Sequence, residues 1–173
     1  MIECIYSSEC SKNKEIEKLK QTIEILKKEN DFLKKDHLLM DYNVYNRHYL
    51  EESLKDEYYP KLKNKDWFYN FALIDINNLH HINRKYGYDE GDNYIRNVSR
   101  QILNDMNNRN VTGKIFRIGG DEFLIIYEPY DFIDFDNIDN ITYSIGRFKD
   151  KKSFKREIKR MDKEIIKNKG ERK

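Results

Sequence analysis

The sequence predicts an α+β domain, a central and mostly antiparallel sheet with flanking helices on one face, preceded by a coiled-coil helix. Three observations lead there. Residues 12–40 repeat apolar positions in alternating steps of three and four, the spacing of heptad a and d positions. Beyond them, helical and strand-like periods follow in the order α-β-α-α-β-β-β-α, a pattern that segregates helices from an antiparallel sheet. Finally, "GKIFRIGGDEFLIIYE" reads as strand, glycine turn and strand, the signature of a hairpin. With 173 residues, the chain accommodates one such domain and an appendage rather than two full domains.

Taken in order, residues 1–11 read as a flexible terminus that holds both cysteines, Cys4 and Cys10. No second Cys/His pair has zinc spacing, so reduced thiols are expected. Residues 12–40 carry the heptads on Ile16, Leu19, Ile23, Leu26, Asn30, Leu33, His37 and Met40, with Lys and Glu between them. β-branched residues at a with Leu at d favour a parallel two-stranded coil, and Asn30 at an a position pins its register. A single amphipathic helix packed on the domain is the alternative; the narrow stripe between fully charged faces favours a homodimer.

The remaining residues, 41–173, form the predicted domain. "NRHYLEESLKDEYYPKLK" is helical from Asn46 to about Tyr59, where Pro60 stops or kinks it. "DWFYNFALIDI" is a buried strand. "NNLHHINRKYGY" returns to helical spacing and ends at Gly87. A longer amphipathic helix follows, bearing Tyr94, Ile95, Val98, Ile102 and Leu103. After the hairpin come the strand "NITYSIGRF" and a final basic helix from "SFKREIKRMDKEIIKNKG".

Composition narrows function. Lys+Arg 33 against Asp+Glu 31 leaves +2, too balanced for a polybasic nucleic-acid or membrane binder. No apolar run approaches spanning length, and "MIECIYSSEC" lacks the basic start and apolar stretch of a signal peptide, so a cytoplasmic location is expected.

Chemistry concentrates at the hairpin. Asp121 and Glu122 leave the glycine turn, and Asp75 sits near the end of the other strong strand. Neighbouring strands lie ~5 Å apart, so such acids can share a divalent cation. Mg²⁺ is held by few carboxylates while phosphates and water complete its shell, and glycines let phosphate approach the backbone. Singly, a Gly-Gly turn is an ordinary hairpin, and an acid at a strand end serves as a helix N-cap.

"RIGGDEF" resembles the signature of the GGDEF family, the diguanylate cyclases. "FALIDINNLHHINRKYGYDEGD" is similar to that family's D-I-D-x-F-K-x-I-N-D-x-x-G-H-x-x-G-D segment, "YNRHYLEE" to its entry helix, "ITYSIG" to its V-S-x-G strand, and "MDKEIIKNKGERK" to its closing A-D-x-A-L-Y-x-A-K helix. The resemblance covers about residues 40–173. It implies a palm-like sheet shared with nucleotidyl cyclases and the joining of two GTP molecules into cyclic di-GMP. Asp75 and Asp121 would bind Mg²⁺ (or Mn²⁺) with the carbonyl of Ile76, and Gly119 and Gly120 would shape the catalytic turn. Glu122 would support a metal or act as a base, and both roles stay open. Asn83 and Asp92 match the guanine contacts. Backbone amides of Asn77, Asn78, Leu79 and His80 would cradle phosphates at a helix start, and Lys169, with Lys173 or Arg172, would meet the terminal phosphates.

Several positions depart from that pattern. Asn77 replaces an Asp, His80 a Lys and Tyr88 a His, while Glu164 and Asn168 stand where small residues are usual. About a dozen residues separate the hairpin from the next strand, too few for the long helix the family has there. The family's R-x-x-D inhibitory frame reads Asn110, Val111, Thr112 and Gly113, so product inhibition through it is not expected. Two alternatives remain beside the cyclase: one making another cyclic nucleotide, and a GTP-binding module without turnover.

Overall fold

The computed structural model describes residues 15–26, 38–40, 44–64 and 66–171. Contacts divide the chain into Met1–His37 and Leu38–Lys173. In the first unit, helix α1 spans residues 15–26. Its Ile16, Leu19, Ile23 and Leu26 are each about half exposed, an apolar stripe left uncovered among the described residues. The heptad positions Asn30, Leu33 and His37 lie outside the described residues.

The helix expected to run through Met40 does not reach it. Leu38–Met40 is strand β1, paired antiparallel with β2 (Val44–Asn46). Neither strand was foreseen, because three residues are too short to display a period. Asn46 then caps α2 (Arg47–Ser53), its side chain accepting from the Tyr49 amide at 2.9 Å. The helix widens into a π-turn at Leu54–Tyr58 before the short α3 (Tyr59–Lys61). The Tyr59 amide reaches back to the Leu54 carbonyl, an i→i+5 bond next to Pro60. Proline removes a donor and crowds the carbonyl four residues before it, and the wider turn accommodates both effects.

The other strands are β3 (Tyr69–Ile76), β4 (Gly113–Arg117), β5 (Glu122–Tyr127) and β6 (Ile141–Phe148). They join β1 and β2 in one six-stranded sheet of order β1-β2-β4-β5-β3-β6. Only β2–β4 is parallel; the remaining pairs are antiparallel. Helices α4 (Leu79–Tyr86) and α5 (Tyr88–Asn108) link β3 to β4, and α6 (Lys151–Glu171) follows β6.

Contrary to the one-face expectation, helices cover both faces of the sheet. Side chains alternate along a strand. Ala72, Ile74 and Ile76 of β3 pack with Ile95, Val98, Ile102 and Met106 of α5. Tyr69, Phe71 and Leu73 pack on the other face, with Leu50 and Leu54 of the entry helix and Met161 and Ile165 of α6. The near-continuous apolar runs of β3 and β5 reflect this double burial.

Residues 128–140 contain no helix, as the short linker required. Ile133, Phe135 and Ile138 instead insert into the α5 side of the core. Arg109 at the end of α5 grips the linker, donating to both Asp134 oxygens at 2.9 and 3.0 Å while also reaching Asp105.

Candidate active site

Strand alternation decides where the acids point. Asp75 continues the series Tyr69, Phe71, Leu73, and Glu122 precedes Leu124 and Ile126, all on the α6 side. Asp75 and Glu122 are directly opposed across β3 and β5. Asp121 lies in the bend just before β5, and its carbonyl accepts from the Ile76 amide at 2.8 Å. The turn is fixed by Arg117, whose Nε and Nη2 both donate to the Gly120 carbonyl at 3.2 and 2.8 Å. Ile118 and Gly119 amides close it onto the Glu122 carbonyl.

Neither Gly119 nor Gly120 has a positive φ, so the turn does not demand glycine for its backbone angles. Gly119 instead leaves room for the acid: a Cβ there would lie 2.5 Å from Glu122 Oε2 and push that carboxylate aside. Around Gly120 the space is open. Asp75 is not a helix N-cap, since Asn78, at φ 63°, holds that position for α4.

Electrostatics tie the acids together. Burial raises the Asp75 pKa, the Asp121 charge raises it further, and Lys169 opposes both by hydrogen bond and charge. Burial likewise raises Glu122, followed by repulsion from Asp121, Asp75 and Asp162, with Lys169 again opposing. Lys169 Nζ forms an ion pair with Asp75 Oδ1. Its place follows from α6: Met161 and Ile165 are buried against the sheet, and Lys169 is next in that i+4 row.

The remaining candidates lie on α4 and α5. Asn83 Oδ1 sits 1.7 Å from where a Cβ on Gly91 would be, so the two helices meet there through a glycine. Asp92 follows Gly91 and is exposed. His80 is exposed, whereas the Leu79 side chain is buried and can offer only its amide. Asn77 departs from expectation. Its amide donates to the Asn140 carbonyl at 2.7 Å, its Oδ1 accepts from Thr142, and its carbonyl accepts from the Tyr94 hydroxyl. Its amide is therefore committed to a structural bond, and the candidate anion cradle narrows to Asn78, Leu79 and His80. Lys173 lies outside the described residues.

Residues 42–145 match the family described as "Diguanylate cyclase, GGDEF domain". The chain belongs to the GGDEF-domain family. Among curated proteins, this GGDEF chain is similar to diguanylate cyclase DgcS of Shewanella oneidensis, 32% identical over 83 residues, covering 48% of this chain and 27% of that protein. Probable diguanylate cyclase DgcC of Escherichia coli is 36% identical over 84 residues, covering 48% of this chain and 21% of DgcC. The matches thus span about a quarter of those relatives' length. Among solved structures, the coiled coil and GGDEF domain of DgcB from Caulobacter crescentus, in complex with c-di-GMP, aligns with TM-score 0.64 at 19% identity, covering 89% of this chain and 92% of that one. Diguanylate cyclase SiaD of Pseudomonas aeruginosa, in complex with its activator SiaC, aligns with TM-score 0.59 at 17% identity, covering 96% and 71%. The fold is that of GGDEF domains.

Sequence reasoning missed three contributors to this GGDEF site. Asp162 adds negative charge beside Glu122; it is the acid of the "MD" pair in the closing helix, so a signal existed. Arg117, which holds the turn, opens the "RIGGDEF" stretch but was given no role, and Asn140, which holds Asn77, carried no motif. Among the described residues no three acid, His or Cys side chains are grouped as a metal cluster. Two strand-end carboxylates and nearby backbone carbonyls nevertheless suit Mg²⁺ arriving with nucleotide phosphates, because that ion keeps most of its shell for water and substrate.

Proposed function

We propose that this GGDEF domain joins two GTP molecules into cyclic di-GMP, releasing two pyrophosphates, with Mg²⁺ or Mn²⁺ and as a dimer. The observation that carries this reading is Asp75 facing Glu122 across β3 and β5, with Asp121 at the turn between strands. Asp75 and Asp121, with the carbonyl of Ile76, would hold the metal. When bound, that ion offsets charge on the α-phosphate and acidifies the attacking 3′-hydroxyl. Glu122 has a raised proton affinity and an exposed side chain, which fits it to take the 3′-hydroxyl proton. Asn83 and Asp92 bind guanine: an Asp acceptor suits the N1–H and 2-amino donors and leaves adenine unpaired. Amides of Asn78, Leu79 and His80 meet the phosphates, at a helix start whose cap makes no side-chain bond. Lys169 and Lys173 complete the phosphate contacts.

Each domain binds one GTP, so the two half-sites must face each other. A coiled coil would raise the effective concentration of the second half-site to about the millimolar range, and the exposed stripe of α1 supports that role. The R-x-x-D frame lacks both of its side chains. At Gly113, moreover, a Cβ would lie 2.7 Å from the Ile126 carbonyl oxygen, so this backbone has no room for an Asp. Titrating cyclic di-GMP into a turnover assay should therefore show no noncompetitive inhibition.

The deciding experiment incubates the protein with GTP, ATP or both plus Mg²⁺ and identifies products by mass, with D121A as control. Cyclic di-GMP from GTP alone supports the reading. A mixed or different cyclic product moves it to an altered-product cyclase, and no product from any mixture to a GTP-binding module.

A further inference from the structure

Among the described residues, Lys169 is the cation ion-paired with the opposed acids of β3 and β5. It was expected to meet phosphate, yet its ammonium is ion-paired with Asp75, a residue 94 positions away in the chain. The pair is partly shielded, with 17% side-chain exposure at Asp75 and 35% at Lys169. Asp121 places negative charge beside Asp75, and Asp121, Asp75 and Asp162 place it beside Glu122. Opposing Asp75 and Glu122 beside Asp121 is unfavourable without a cation, and Lys169 supplies that charge.

We propose that Lys169 is an exchangeable counter-ion, released from Asp75 when metal and nucleotide enter together, and that this exchange couples the binding of one to the binding of the other. The inference rests on the metal-and-GTP reading of the site and adds a residue that governs the order of loading. A divalent cation arriving alone must displace the ammonium from Asp75 and leave it without a partner. A nucleotide arriving alone draws Lys169 towards its phosphates and leaves Asp75 uncompensated beside them. When both arrive, Asp75 gains the metal and Lys169 gains the phosphates, so the ion pair is broken once for two binding events. A cost shared in this way makes binding positively cooperative, and the coupling is the same measured from either ligand. The geometry permits the move. Lys169 stands on the last full turn of α6, held by a flexible four-carbon stem, while Met161 and Ile165 anchor the helix below it. The following Gly170 has open space around it.

The test compares wild type with K169M, which keeps the apolar stem, and with K169R, which keeps the charge. One arm titrates Mn²⁺ alone, followed by electron paramagnetic resonance. The other follows calorimetric binding of an α,β-methylene analogue of GTP, with and without Mn²⁺. K169M should bind Mn²⁺ alone about fivefold or more tightly than wild type, and the factor by which Mn²⁺ strengthens analogue binding should fall several-fold. K169R should stay near wild type in the first arm. Equal Mn²⁺ affinity in wild type and K169M, or an unchanged coupling factor, overturns the exchange while leaving the metal site standing. If neither protein binds Mn²⁺ even with the analogue present, the metal-and-GTP reading fails and the exchange fails with it.

Discussion

Gly119 owes its place in the turn to a neighbouring carboxylate rather than to a backbone angle. A methyl group there meets the far end of the Glu122 side chain, which can swing away. Because the half-buried Gly119 meets only a side chain that can move, G119A should cost no more than about 1 kcal/mol of stability, while losing most turnover because Glu122 is displaced. Equal turnover in a product assay would contradict this. Gly91 makes a parallel case: a Cβ would collide with Asn83 Oδ1. G91A should raise helix propensity, by up to about 1 kcal/mol, yet weaken GTP binding at least tenfold in calorimetry. The acids predict a pH effect. Burial, with repulsion from Asp121 and Asp75, holds the folded-state pKa of Glu122 above its ordinary value of 4.5. It binds its proton more tightly folded than unfolded, so its stabilising contribution is full below that value and is lost as pH rises through the folded pKa. E122Q should then melt higher than wild type at pH 7 without metal, and the gap should close as pH falls towards about 4.5. A gap that widens on acidification would sink the argument.

At the scale of elements, the linker 128–140 does the work of a helix with three apolar residues. Phe135 is almost fully buried and packs edge-on against Tyr143 at 5.2 Å. Truncating a buried Phe removes its transfer energy and leaves a cavity, so F135A should cost about 3–5 kcal/mol in urea unfolding. A cost under about 1 kcal/mol would mean that the linker is not part of the core. The elements also separate what a sequence can reveal. The runs that became β3 and α5 were legible, because eight and twenty-one residues of one period leave a pattern, and the β4–β5 hairpin was legible from the glycine turn between two apolar runs. β1 and β2 were not, having three residues each. The π-turn was legible only as a break at Pro60, since propensity marks where a helix is disturbed and not how it recovers.

For the whole molecule, the proposed joining of two GTP molecules requires two copies of the domain. Charged replacements at Ile23 and Leu26 should yield monomers in analytical ultracentrifugation and lower specific activity, most severely at low protein concentration. Specific activity that stays constant on dilution would remove the coil from the mechanism. Among the described residues no helix is long and apolar enough to cross a membrane.

The sequence by itself determined the heptad stripe, the alternating strands, the glycine turn with its acids, and the absence of a helix between β5 and β6. These are local features, carried by residues a few positions apart. Only the tertiary structure decided that Asp75 stands opposite Glu122, that β2 joins the sheet in parallel, and that both faces are covered. It also decided that the Asn77 amide is spent on Asn140 and that Lys169 closes on Asp75. Each of these depends on strand register and on which distant elements share a core. Those are set by the burial of the whole chain and leave no mark in any single segment.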